Sequence, residues 1–212
     1  MSAIRYTLLA NGGSDRALMP LIEWLLREHL PDRAARPQWA DLGRLRLPPS
    51  TLVEKIGWAF ALYPCSLMFI HRDSEGMPHD ERTDEIRKAV QASSISAIAV
   101  PVVPVRMTEA WLLFDENAIR RAAGNPNGRV RLQLPTNPEA LPDPKQDLHT
   151  LLKSASELSG RRLKKFRAAQ RVQRVAELIQ DYGPLRALPA FNAFDAKLQS
   201  ALTSLPSERH GS

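Results

Sequence analysis

Cys65-Ser66-Leu67-Met68-Phe69-Ile70-His71-Arg72-Asp73-Ser74-Glu75-Gly76 is a short apolar run that ends abruptly in charge. Six residues suit a buried strand and are too few for a buried helix. A strand apolar at consecutive positions is covered on both faces, which is the habit of parallel sheets. Its neighbours repeat the pattern. Upstream, Ile4-Arg5-Tyr6-Thr7-Leu8-Leu9-Ala10 ends in Asn11-Gly12-Gly13-Ser14-Asp15; downstream, the apolar run 95–103 is closed by Pro104. A weaker strand is predicted over Pro37–Leu42. Between these runs lie segments with helical spacing. Leu18, Leu21, Ile22, Leu25 and Leu26 form one stripe, and Val53, Ile56 and Phe60 another, with Ser50 as cap and Trp58 on the far side. A charged helix is predicted from His79 to Ala92, anchored by Ile86 and Val90. Thr108 and Asp115 each cap a further short helix. The order β-α-β-α-β-α-β predicts an α/β fold with a mostly parallel four-stranded sheet flanked by helices and joined by right-handed crossovers.

Past Gly124 the texture changes. Five prolines and two glycines fall between Gly124 and Pro144 and predict a loop or flap. Helices are predicted over 145–158, 161–181 and 190–203. We therefore divide the chain into an α/β domain (1–123), a helical appendage packed on it (124–205) and a polar, disordered tail (206–212).

Composition narrows the class. The 212 residues carry a net charge of +6 and a single cysteine. One cysteine excludes an intramolecular disulfide and fits a reducing compartment. Cys65 is either a nucleophile or a small buried hydrophobe, and its apolar setting favours the second. No run reaches the roughly 18 apolar residues of a membrane span, and the N-terminal apolar run is short for a secretory signal. The expected location is the cytoplasm. The positive charge is concentrated: between Lys153 and Arg174 there are eight basic residues and one acid, Glu157. Arg161, Arg162, Lys164, Lys165 and Arg167 lie at its centre, with Phe166 among them. Such a stretch is either a solvated face or a site for polyanions, nucleic acid foremost.

In open parallel sheets, ligands bind beyond the carboxyl ends of the strands. That rule selects Asn11, Ser14 and Asp15; His71, Asp73 and Glu75; and Arg106, Thr108 and Glu109. Clustered carboxylates there suit Mg²⁺ or Mn²⁺, which take hard oxygen ligands together with water and substrate phosphate. Arg72 and Arg106 are placed to hold phosphate. Asp15 also reads as a helix cap, His71 as a loop histidine, a ligand or a base, and Glu109 as a first-turn acid. Trp111 reads as core. No Walker loop, dinucleotide fingerprint or zinc-ligand pair is present.

These residues also carry a resemblance. Asn11-Gly12-Gly13-Ser14-Asp15 after a strand resembles the first motif of Toprim-like proteins, Glu-Gly-x-Ser/Thr-Asp/Glu. His71-Arg72-Asp73 stands where that fold carries an Asp-x-Asp pair. Met107-Thr108-Glu109-Ala110-Trp111-Leu112-Leu113-Phe114-Asp115 resembles the Glu-Ala-Trp-Leu-Leu-x-Asp signature of a Toprim-like family of bacterial defence islands. Asp143-Pro144-Lys145 and Leu188-Pro189-Ala190-Phe191 are similar to its later half. Asn11 replaces the family's glutamate and His71 its first aspartate. The resemblance implies a metal-dependent nuclease related to overcoming-lysogenization-defect enzymes. Asp73, Glu109, Asp15 and Glu75 would be the metal ligands, and Asn11, His71, Asp73 and Glu109 the catalytic group. It also implies an ABC- or AAA-type ATPase partner, with a homodimer as one assembly. The competing expectation is an inactive subunit that binds an ATPase or nucleic acid through the basic helical half.

Overall fold

The computed structural model describes residues 3–74 and 76–205. The predicted tail (206–212) and Glu75 lie outside the described residues. Four strands form one sheet: β1 (Ile4–Leu9), β2 (Ala35–Trp39), β3 (Leu67–His71) and β4 (Ile98–Val102). Every pair is parallel and the order is β2-β1-β3-β4. This α/β sheet, flanked by helices and followed by a helical C-terminal part, is consistent with a Toprim-like arrangement. The crossovers are α1 (Leu18–His29), α2 (Leu52–Leu62) and α3 (His79–Ser93). The C-terminal part holds α4 (Glu116–Ala123), α5 (Pro144–Ser156), α6 (Gly160–Lys165), α7 (Val172–Leu178) and α8 (Pro189–Thr203). Among the described residues no helix is long and apolar enough to cross a membrane.

Strand alternation sorts side chains between two cores. Tyr6, Leu8, Leu67, Phe69, Val100 and Val102 enter the larger one, with Leu18, Leu21, Ile22, Leu25 and Leu26 of α1. Leu9, Met68, Ile70 and Val103 enter the smaller one, with Ile56 of α2 and Ile86 of α3. Two crossover helices thus cover one face, while α1 alone covers part of the other. The C-terminal half supplies the missing layer. Phe194 of α8 meets Phe69 edge-on at 6.2 Å and stacks on Trp111 at 6.0 Å; Phe191 meets Trp111 at 5.4 Å. Trp111 is fully buried. Its Nε1–H donates to Glu139, whose other oxygen accepts from the Ala190 amide.

Several local expectations shift. Thr51, one residue past Ser50, caps α2: its hydroxyl accepts from the Glu54 amide, and Glu54 accepts from the amides of Ser50 and Thr51. Trp58 is half exposed, as its place off the stripe requires. The single helix expected over 161–181 is broken into α6, a 3₁₀ turn (Ala168–Arg171) and α7, with extended backbone at Phe166. The break has a geometric cause. Phe166 and Val172 pack on the same core, yet six residues of continuous helix would set them about 120° apart.

Candidate functional site

The carboxyl edge of the sheet contains a topological switch point. β1 feeds a crossover toward β2 on one side, and β3 feeds one toward β4 on the other. The crevice between β1 and β3 is where such sheets bind ligands. His71 ends β3 with the parity of Leu67 and Phe69, so its ring enters the side of the larger core and is 2% exposed. Its Nδ1–H donates to the Val102 carbonyl at 3.1 Å. Nε2 then faces three oxygens: Thr108 Oγ1 at 3.2 Å, Asp73 Oδ1 at 3.4 Å and Asp15 Oδ1 at 3.7 Å. Three loops of the chain therefore meet at one imidazole.

Each partner is positioned locally. Asp15 lies in the 3₁₀ turn Gly13–Ala17 and accepts from the Gly12 amide at 3.0 Å. Its readings as a turn-capping acid and as a rim carboxylate both hold, since its other oxygen faces His71. Thr108 starts the 3₁₀ helix Thr108–Leu112 without capping it; its hydroxyl turns to His71 instead. The loop after β3 is tied down where Arg82 donates to the Ser74 carbonyl and to Glu85. Asp73 keeps the most solvent access of the three carboxylates facing this corner, with 32% of its side chain exposed against 13% for Asp15; Glu109 is 5% exposed.

The charges are coupled. Burial disfavours an imidazolium at His71, but the carboxylates of Asp15 and Asp73, with the Val102 carbonyl, outweigh it and raise the affinity of the ring for its proton. Burial opposes ionisation of Asp15 too, yet the facing imidazole and the Gly12 amide hold its carboxyl below the usual range. Glu109 is pushed up, first by burial and also by the negative charges of Asp73 and Asp15; Lys145 pulls the other way. With all groups ionised, three carboxylates against one imidazolium and the Lys145 ammonium leave one net negative charge.

That residue set bears on the expected Mg²⁺ or Mn²⁺. Among the described residues no group of three or more His, Cys, Asp or Glu side chains is drawn together tightly enough to hold a metal by itself. Mg²⁺ needs only one or two carboxylates, completed by water and phosphate. Asp73 and Glu109 are the carboxylates here that could supply such oxygens; Glu109 is raised first by its burial.

Other expected residues fall elsewhere. Asn11 is exposed and its carbonyl accepts from Lys55 at 3.2 Å, on the β2 side of the rim. Arg72 pairs with Glu85 at 3.5 Å, because β3 ends beside α3. Arg106 is exposed. Arg161, Arg162, Lys164, Lys165 and Arg167 are all exposed on or beside α6. Glu157, the one acid of that stretch, is spent on the amides of Arg129 and Val130 and does not neutralise it. Cys65 is half-buried before β3 and burial raises its thiol, the reverse of an activated nucleophile. Lys145 is the residue that reading by strand ends overlooks. Asp143 caps α5 by accepting from the Gln146 amide, and Pro144 opens the helix. That start fixes Lys145 in the first turn, where its charge reaches Glu109.

No protein-family model, curated protein or solved structure matches this chain.

Proposed function

We propose that the β1–β3 crevice is a phosphodiester-hydrolysing site, acting on DNA or RNA with Mg²⁺ or Mn²⁺. The observation that carries this reading is the meeting of Asp15, His71 and Asp73 at the switch point of a parallel sheet, with Glu109 near enough to feel the charges of Asp73 and Asp15. Asp73 and Glu109 are the metal-holding residues. When bound, the metal supplies charge stabilisation for the phosphoryl group and an activated water. His71 was expected as a base or a ligand, but its ring is covered by Thr108, Asp73 and Asp15. It acts instead as a positioning residue, an internal cation that orients Asp73 toward solvent and keeps Asp15 ionised. Lys145, exposed beside Glu109, is placed to meet a substrate phosphate. Asn11 does not transfer protons; it sits with Lys55 at the border of the crevice.

The full chain incubated with Mg²⁺ or Mn²⁺ and with DNA or RNA tests the reading. We expect metal-dependent cleavage that Asp73→Ala abolishes. Intact substrate with both metals, from a chain that binds nucleic acid and stays folded, would overturn the enzyme.

One observation supports a second reading. The five cations around α6 have no carboxylate partner among the described residues, and a patch of this kind binds phosphate backbones without doing chemistry. On that reading the chain is a binding subunit, for nucleic acid or for an ATPase partner. Salt-sensitive binding without cleavage is its signature.

A further inference from the structure

A second cavity lies beside the crevice, on the far side of the Asn11–Asp15 loop. It opens between the carboxyl ends of β1 and β2 and has a volume of about 540 Å³. That is within the roughly 300–1,000 Å³ of small-ligand clefts. Its wall combines Arg16, Lys55, Trp39, Asn11 and Gln173. Arg16 and Asp15 are consecutive on one 3₁₀ turn, so the turn that presents Asp15 to His71 also presents Arg16 to the cavity.

Chemistry points to the occupant. The Arg16 guanidinium lies over the Trp39 indole, 5.9 Å from its centre. Lys55 donates to the neutral Asn11 amide at 3.2 Å. Neither cation has a carboxylate partner among the described residues, and the one lining acid near them, Asp41, is paired with Arg44 at 2.7 Å. Unneutralised cations attract phosphate. An aromatic ring and a planar guanidinium give a base two flat surfaces on which to stack. The side-chain amides of Asn11 and Gln173 offer donors and acceptors for a base edge. The Gly13 position leaves open space where a side chain would otherwise stand. Gln173 comes from α7, so both halves of the chain build the wall.

We propose that this cavity is a subsite for one nucleotide of a single-stranded nucleic acid. Lys55 holds its phosphate and the Arg16–Trp39 pair stacks its base, next to the phosphodiester cut in the crevice. The placement of the cut rests on the proposed hydrolytic function, whereas nucleotide binding by the cavity does not.

Equilibrium binding separates the two. A fluorescently labelled single-stranded oligonucleotide is titrated with the full chain across a salt series, without divalent metal, so that no cleavage occurs. Lys55→Gln and Arg16→Gln should each weaken binding and together flatten the salt dependence, by up to about 0.7 in log–log slope for each phosphate no longer neutralised. Trp39→Leu should cost about tenfold in affinity; because Trp39 also packs on the core, its circular dichroism and melting are checked alongside, and the two surface variants carry the proposal alone if it unfolds. A free nucleoside monophosphate competes in a parallel arm. Competition by the monophosphate as effective as by the oligonucleotide would replace the strand with a free nucleotide as occupant and overturn the proposal. Unchanged affinity and slope in Lys55→Gln and Arg16→Gln would overturn it too. Cavity variants that lose binding while the wild type cuts nothing would support the subsite and remove only the hydrolytic reading.

Discussion

The chain handles charge in two ways, and the contrast separates the two functions proposed above. At the β1–β3 crevice the charges are buried and opposed. One imidazole faces Asp15 and Asp73, and the protonation of the ring is coupled to that of its carboxylate neighbours. Around α6 the cations stand in water, with no acid paired to them among the described residues. Holding a charge in low dielectric is costly unless its partners are fixed, so a fold that does so has committed those atoms to one geometry. Solvated cations commit nothing; they attract at long range and are screened by salt. The first arrangement suits chemistry and the second suits capture.

The largest effect should come from the carboxylates of the crevice. Asp73→Ala should reduce cleavage by at least about 10²-fold, the scale for removing one fixed electrostatic partner of a reacting group, with oligonucleotide affinity in metal-free buffer little changed. A fall in affinity as large as the fall in rate would dissolve the distinction between chemistry and capture. Next comes His71→Gln, which keeps a hydrogen-bonding group but removes the internal cation. A decrease of about 10–100-fold is expected, as for residues that orient a ligand rather than serve as one. It should raise the metal concentration needed for half-maximal rate, a readout that general destabilisation does not move.

Charge reversal at Lys164 and Lys165 should act oppositely, weakening binding and the salt slope while leaving the rate at saturating substrate within about twofold, since interactions made equally in ground and transition states leave kcat alone. Unaltered binding would show that α6 is only a solvated face.

The smallest effect, and the sharpest, is the pH dependence of stability. The proton affinity of folded His71 is raised, so its ion pairs stabilise fully below the unfolded-state value of about 6.5 and are lost as pH rises through the higher folded value. Asp15 is lowered, so its contribution is present above about 3.9 and is lost as pH falls through the lower folded value. Asp15→Asn should therefore cost most stability between about pH 4 and 6.5 and progressively less in alkali. Urea unfolding over a series of pH values rising from about 5.5 checks it. A cost that stays equal across the series would show that the charge of the imidazole does not change over that range.

Much of this was legible because strand signals are local. The apolar runs ending at Leu9 and Ile70 each stop at a polar loop, and parallel sheets put such loops on one edge. Asp15, Asp73 and Glu109 could be named on that rule. His71 could be named too, but not its burial between them: it reads as a loop histidine, a ligand or a base until the pleat shows which face it takes. The broken helix at Phe166 was hidden too, since the helical reading runs on through it and the shared core of Phe166 and Val172 is a tertiary contact. Lys145 was hidden by distance, 36 positions beyond Glu109.

By itself the sequence determined the four strands, their parallel arrangement, the rim on which polar residues collect and the basic stretch near the C-terminus. These follow from the period and length of apolar runs and from residue charge, which neighbours along the chain suffice to set. Tertiary structure alone decided that the C-terminal helices complete the larger core, that His71 is sealed between carboxylates, and that Arg16, Lys55 and Trp39 share a cavity. Those depend on residues far apart in the chain meeting in space, and no local pattern encodes which distant surface a side chain will meet.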